Sequence, residues 1–399
     1  MPIKRIEISG YRSLKNVSWT PGKLNLIIGP NGSGKSNLLS GLELLHKAAL
    51  GKQFPDAILQ EGGLGQILWN GTATEVNWSL TQEVLDENQS KSLLTYQLAV
   101  APLPFTGGIR IARELLADYS RVEAGESAEP IKFLEKDLLH GLIYLDATHQ
   151  EMIDFEKTVP ADQALLSTLS YPTTGAIPRS FWTALMLWAV YQDRQVHRQA
   201  LVRQAAVARV EKFLDSDGQN LIPVLHTLYT GDRKFEQLVD KAMSAAFGPE
   251  YENLLFPSAA DQRVQLRIRW RSLKTAQSAA DLSDGTIRFL MLLCILGAAG
   301  ASSDELIAID EPEVGLHPRM FPIIAELAAA AAERTTVILT THSDQFLDSC
   351  TALKATTTVA ESVDGETRLT ILDEKELSRR LKEYSLGALF RSGELEDLA

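Results

Sequence analysis

The sequence predicts an α/β fold, and three observations point to it. Strand-like apolar runs alternate with helix-patterned runs toward both ends of the 399 residues. One early strand runs straight into a glycine-rich turn and then a helix. A later strand ends in two adjacent carboxylates.

The early strand is Leu24-Asn25-Leu26-Ile27-Ile28, which reads as buried. Gly29-Pro30-Asn31-Gly32-Ser33-Gly34-Lys35-Ser36 follows and fits the phosphate-loop pattern G-x-x-x-x-G-K-[ST]. Asn37 to Leu45 then reads as a helix. The glycines let successive N–H groups turn inward toward a phosphate. The helix N-terminus adds partial positive charge at the same place. Lys35 reaches the β- and γ-phosphates, and the Ser36 hydroxyl is a Mg²⁺ ligand. Residues 29–36, with Asn37 at the helix start, are therefore the candidate nucleoside-triphosphate site of a P-loop NTPase.

Composition narrows the class. With 45% hydrophobic residues the chain can bury a substantial core. The apolar stretch Phe289 to Ala299 is too short to span a bilayer, so no membrane partner is expected. The start, Met1 to Glu7, lacks the apolar core of a signal peptide, and the expected location is the cytoplasm. Cys294 and Cys350 read as buried small hydrophobes. A net charge of −12 argues against a surface that coats nucleic acid throughout. One local basic strip remains, Arg263 to Arg271. Val264, Leu266, Ile268 and Trp270 share one face; Arg263, Gln265, Arg267, Arg269 and Arg271 share the other. It reads as the solvated face of an antiparallel strand or as a phosphate-contacting strip.

Three segments follow along the chain. Residues 1–100 form a strand-rich lobe around the loop, with Thr74–Leu80 and Thr95–Val100 pairing as an antiparallel β subdomain across the polar linker Asp86–Ser90. Residues 101–275 read as a mostly helical insertion, opened by Pro102-Leu103-Pro104 and Gly107-Gly108. Phe181 to Asp215 reads there as a long helix with Arg194, Arg198, Arg203 and Arg209 at polar positions, and the basic strand closes the segment. Residues 276–399 return to α/β patterning: helix 286–296, strand 305–309, helix 319–333, strand Thr336–Thr340, a strand near 366–372 and a polar helix near 374–383.

Leu306-Ile307-Ala308-Ile309-Asp310-Glu311 carries the two carboxylates. Beside a phosphate loop, Asp310 supports Mg²⁺ and Glu311 polarises a water in line with the γ-phosphate. The next strand ends in Thr340-Thr341-His342-Ser343, where a histidine can reach a γ-phosphate or the attacking water across the mouth of a parallel sheet, or can be a structural residue. Leu282-Ser283-Asp284-Gly285-Thr286 opens a helix. Ser283 or Asp284 reads as its N-cap, and the same turn offers a hydroxyl and a glycine N–H to a phosphate.

Taken in this order, the phosphate loop, Leu282–Gly285, Asp310–Pro318 and Thr341–Ser343 resemble the ABC-type ATPase heads of the SMC and RecF-like class. Ile6 to Leu14 resembles the start of RecF-like and overcoming-lysogenisation-defect-like ATPases. Glu383 to Gly393 resembles a tail of compact bacterial ATPases of the AAA_21 type. The resemblance implies an ATPase using ATP and Mg²⁺, with Gly29–Ser36 holding the triphosphate and Asp310 joining Ser36 at the metal. It makes Glu311 the general base and His342 the switch histidine. Ser283 and Gly285 would contact the γ-phosphate of a nucleotide held by another subunit, which implies a homodimer closed on two ATP molecules. Asp284 stands where many members have glycine. Gln66 and Gln150 both remain candidates for the class's glutamine loop, and Arg12 matches an arginine of related heads.

The class implies a role in DNA repair or phage defence, with nucleic acid as the family-suggested partner. The alternative is a slow nucleotide-dependent switch that controls a separate effector protein. A transporter ATPase fits less well, because roughly 245 residues separate Lys35 from Ser283.

Overall fold

The computed structural model describes residues 2–85, 91–103, 107–137, 141–144, 152–154, 159–170, 176–192, 195–299 and 306–398. The chain forms two compact units. One comprises Met1–Gly22, Gly29–Trp188 and Thr358–Thr370; the other comprises Lys23–Ile28, Ala189–Thr357 and Ile371–Ala399. These units divide the chain differently from the three sequence segments.

The strands in chain order begin with β1 (Ile3–Tyr11), β2 (Leu14–Trp19), β3 (Leu24–Ile28), β4 (Val76–Leu85), β5 (Lys91–Pro102), β6 (Ile109–Asp118), β7 (Ile131–Lys136), β8 (Gly141–Tyr144) and β9 (Met152–Asp154). In the first unit all of these except β3 build an eight-stranded sheet in the order β2-β1-β4-β5-β6-β7-β8-β9. Every pairing in it is antiparallel. Period-two patterning explains the sheet. Ile8, Trp78 and Leu98 lie in register across three strands, as do Ile6, Leu80 and Tyr96, and all six are buried. Burying each such side chain contributes roughly 1.5–3 kcal/mol.

Helix Lys35–Ala49 meets this sheet through Gly41. A Cβ there would lie 2.8 Å from Ile8 Cδ1, and the Gly41 carbonyl accepts from Trp78 Nε1 at 2.9 Å. Glycine inside a helix costs about 1 kcal/mol relative to alanine, and close packing offsets it here.

In the second unit β3 lies beside strand Thr336–Thr341, which lies beside strand Leu306–Asp310, all parallel. Asp310 is level with Thr340, Thr340 with Ile27, and Thr341 with Ile28. All of β3 is buried, and so are residues 306–309. Buried runs of this kind, apolar except for Asn25, whose Nδ2 donates to the Val337 carbonyl at 3.0 Å, mark strands covered on both faces. Helices Asp284–Gly297 and Phe321–Ala332 bury ten and six residues respectively.

The mostly helical reading of residues 101–275 is corrected. The antiparallel sheet continues through β6 to β9, because Ile109, Ile111, Leu116 and Leu134 supply buried rungs that pair across strands. The segment does contain helices Ala176–Met186, Leu221–Gly231 and Arg233–Phe247. The expected long helix from Phe181 stops at Met186. Aromatic and β-branched residues in Trp188–Tyr191 form a strand flanking Leu306–Asp310 instead. Pro104, the linker Asp86–Ser90, Arg194 and Gln150 lie outside the described residues.

The basic strip alternates through Val264, Leu266 and Ile268, which are buried. It is not one strand: Arg263–Val264 and Arg267–Trp270 belong to different sheets, and Trp270 is only half-buried. Strand Thr356–Val363, absent from the sequence reading, precedes Glu366–Ile371. Cys294 and Cys350 are both buried and free. Among the described residues, no helix is long and apolar enough to cross a membrane.

Candidate nucleotide-binding and hydrolysis site

The phosphate loop begins at the residue after β3. Its curl depends on glycine at two positions. A Cβ on Gly29 would lie 2.2 Å from the Ala360 carbonyl oxygen. Gly34 has φ +97°, and a Cβ there would lie 1.8 Å from Thr367 Oγ1. Gly32, with φ +82°, faces open space. Lys35 is buried, and its Nζ donates to the carbonyls of Gly29 at 2.8 Å and Pro30 at 3.0 Å. The ammonium thus lies against the start of the loop. Asn31, Gly32 and Ser36 are exposed, so the rim of the loop is open to solvent. A cradle closed to side chains at Gly29 and Gly34 and open at Gly32 fits a triphosphate.

Two supports of the loop escaped the sequence reading. Thr367 Oγ1 donates to the Ser33 carbonyl at 3.0 Å and pairs with Ser13 Oγ at 2.7 Å. Asn37 Nδ2 donates to the same Ser13 hydroxyl at 2.7 Å. Asn37 is therefore tied to the loop's support. Arg12 pairs with Glu61, and its Nη1 is 3.5 Å from Asn37 Oδ1. Of the two glutamine candidates, Gln66 is exposed in the short helix Leu64–Ile67.

In the second unit the parallel strands bring Asp310, Glu311 and His342 together. The Asp310 carboxylate accepts from the Thr340 hydroxyl on the neighbouring strand. Glu311 departs from the strand with φ +45°, the left-handed region that costs a non-glycine residue roughly 1–3 kcal/mol. Its N–H donates to the Thr340 carbonyl at 3.1 Å, which holds that turn. Its Oε1 lies 2.7 Å from His342 Nδ1. The carboxylate and imidazole thus form a hydrogen-bonded pair, both partly exposed.

Behind this pair lies Glu313, 6% exposed. Its Oε1 accepts from the Thr341 hydroxyl, and its Oε2 has no hydrogen-bond partner among the described residues. Burial pushes its pKa above the usual carboxylate range, and the Thr341 bond opposes the shift.

Ser283 caps helix Asp284–Gly297: its Oγ accepts from Thr286 N at 3.1 Å. The N-cap reading of this turn therefore holds for Ser283. A Cβ on Gly285 would lie 2.5 Å from the Gly315 carbonyl oxygen, and Arg288 Nη1 donates to the Val314 carbonyl at 3.0 Å. The first turns of helix Asp284–Gly297 therefore lie close against the turn that follows Glu311, with Arg288 bonded to it. Arg203 does not lie on a long helix. It is buried, and its guanidinium donates to the Val196, Ala279 and Leu282 carbonyls and to Asp284. No spacing in the sequence links residue 203 to residue 284.

Arg263, Arg267 and Arg269 each hydrogen-bond within their own chain, to Ala205, Gln265 and Lys274 respectively.

Residues 193–348 match the family described as "AAA domain, putative AbiEii toxin, Type IV TA system", and residues 1–98 match "AAA ATPase domain". The Old nuclease of Escherichia phage P2 is 22% identical over 400 residues, covering 93% of this chain and 61% of that protein. The DNA replication and repair protein RecF of Geobacter sp. (strain M21) is 28% identical over 169 residues, 42% of this chain and 45% of that one. The chain thus spans about three-fifths of the length of the OLD nucleases it matches. Among solved structures, the SMC head bound to the C-winged helix domain of ScpA aligns with TM-score 0.56 and 12% identity, over 95% of this chain and 100% of that one. A Pyrococcus furiosus-derived complex of an SMC head with the C-terminal domain of ScpA aligns with TM-score 0.52 and 11% identity, over 96% and 98%. The fold is that of an ABC-ATPase-like head, as in the SMC heads, and the chain carries an ATPase-type domain similar to OLD nuclease and RecF.

Proposed function

We propose that this chain hydrolyses ATP and dimerises around it, so that closure and opening drive or gate a conformational switch in DNA repair or phage defence. The observation that carries the reading is the Glu311–His342 pair at the C-terminal end of a parallel sheet. The strand that feeds the phosphate loop ends level with Thr341, next to that pair.

In this reading residues 1–100 and 276–399 supply the two lobes of the head. Gly29 to Ser36 hold the triphosphate, with Asn37 fixing the helix start. Lys35 turns from the loop carbonyls to the phosphates. Ser36 and Asp310 hold Mg²⁺, which when bound neutralises developing charge on the phosphate oxygens. Glu311 takes a proton from water as its oxygen attacks the γ-phosphorus and the bond to the β-bridging oxygen breaks. His342 holds the Glu311 carboxylate by its Nδ1 contact and faces the same water. Ser283 and Gly285 receive the γ-phosphate of the nucleotide bound by a second copy. The related RecF proteins support DNA as the partner whose handling the switch controls.

Glu311→Gln tests the mechanism. It keeps the shape of the side chain and removes the base. Expected are ATP binding within a few fold of the parent, hydrolysis slower by about 10²–10⁴-fold, and an ATP-dependent dimer in sedimentation. Unchanged turnover would remove Glu311 as the base. A salt titration of DNA binding by the ATP-bound variant tests the partner: no binding even at low salt excludes direct DNA contact.

A further inference from the structure

The turn Leu282–Gly285 carries a carboxylate, Asp284, between the two residues assigned to a phosphate. An exposed carboxylate there would repel a triphosphate. Its side chain is 62% exposed, yet its Oδ1 is held by Arg203, whose own side chain is 2% exposed. The same guanidinium donates to Leu282 O at 2.6 Å, Val196 O at 2.7 Å and Ala279 O at 3.1 Å. One buried cation therefore grips the backbone just before Ser283 and the carboxylate just after it. A planar guanidinium with a fixed fork of donors can do this, and a lysine ammonium cannot reproduce the geometry. The turn also lines a cleft of about 910 Å³ whose walls include Arg198, Arg203, Trp270, Ser283 and Thr286.

We propose that Arg203 is the positioning residue of this turn. It fixes Ser283 Oγ and the Gly285 N–H for the second copy's nucleotide, and it neutralises Asp284 so that the carboxylate does not oppose the incoming phosphate. The inference rests on the reading that Ser283 and Gly285 act across a dimer. Arg203 acts through the turn and touches no nucleotide itself.

The test uses full-length protein carrying Glu311→Gln, with the ATP-dependent dimer constant measured by sedimentation and the ATP affinity of the monomer measured separately. Arg203→Lys is expected to weaken dimerisation by about tenfold or more, since charge-assisted contacts to the turn are lost, while monomer ATP affinity stays within about twofold. Ser283→Arg is the control on the underlying reading.

If Ser283→Arg abolishes dimerisation but Arg203→Lys leaves it unchanged, the inference fails and the reading survives. If Ser283→Arg also dimerises normally, the reading itself fails. An equal loss of dimerisation and monomer ATP affinity in Arg203→Lys would make the residue merely structural and overturn the proposal. Should Arg203→Lys fail to fold, the double variant Arg203→Gln with Asp284→Asn, which removes both charges together, decides: weakening of about tenfold or more with unchanged monomer ATP affinity supports positioning by Arg203, and dimerisation within about twofold of the starting protein overturns the proposal.

Discussion

The phosphate loop and the carboxylate end of the parallel sheet are built on opposite principles. The loop is made of backbone. Its shape follows from Gly29, Gly34 and the start of a helix within eight consecutive residues, and Lys35 is anchored on carbonyls of the same stretch. The carboxylate end is made of side chains that meet from separate strands: Asp310 with Thr340, Glu311 with His342, Glu313 with Thr341. A backbone site is damaged by adding atoms or by losing its one cation. A side-chain network is damaged pair by pair.

Variants can break or sharpen this contrast. The largest effect is expected at the loop. On the proposed function, Lys35→Ala removes the cation assigned to the phosphates, and ATP affinity should fall by at least about 100-fold in calorimetry. Retained binding would make the loop a mere turn. Next comes His342→Ala, which leaves Glu311 without its 2.7 Å partner. Turnover should fall by about 10–100-fold with ATP affinity nearly unchanged, a smaller loss than for Glu311→Gln.

Thr341→Val should act on stability. It strips the hydrogen bond from the buried Glu313 carboxylate and should cost about 1–3 kcal/mol in denaturant unfolding. The pH dependence has a definite sign. Burial raises the Glu313 pKa in the folded state, so the native protein holds that proton more tightly than the unfolded chain. Its contribution to stability is complete below the unfolded value of about 4.3 and is lost as pH rises through the folded value. Glu313→Gln should flatten that part of the melting-temperature profile, and an unchanged profile would show that Glu313 does not titrate in this way.

The smallest effect is expected at the thiols. Burial pushes the Cys350 thiol up to about 12 and the Cys294 thiol well above its usual range. Neither should react with an aromatic disulfide at neutral pH until the protein unfolds.

The same contrast governs what was legible in the sequence. The loop is contiguous, so its pattern and flanking elements stand in one line of text. The Asp310–Glu311 pair and the Thr341–Ser343 run were legible as strand ends. The Glu311–His342 contact needs the parallel register that only pairing supplies. Thr367 and Arg203 were not legible, since they act on residues 334 and 81 positions away. In the middle segment, the apolar spacing of Phe181 to Asp215 satisfied a helical period although its aromatic Trp188–Tyr191 stretch pairs as a strand. Periodicity alone does not separate a short buried strand from a helix.

β3 has one more consequence. The chain passes between the two compact units at 22–23, 28–29, 188–189, 357–358 and 370–371. The five buried residues of β3 thus belong to the second unit, while the sequence on either side of them belongs to the first. No single cut yields either unit whole.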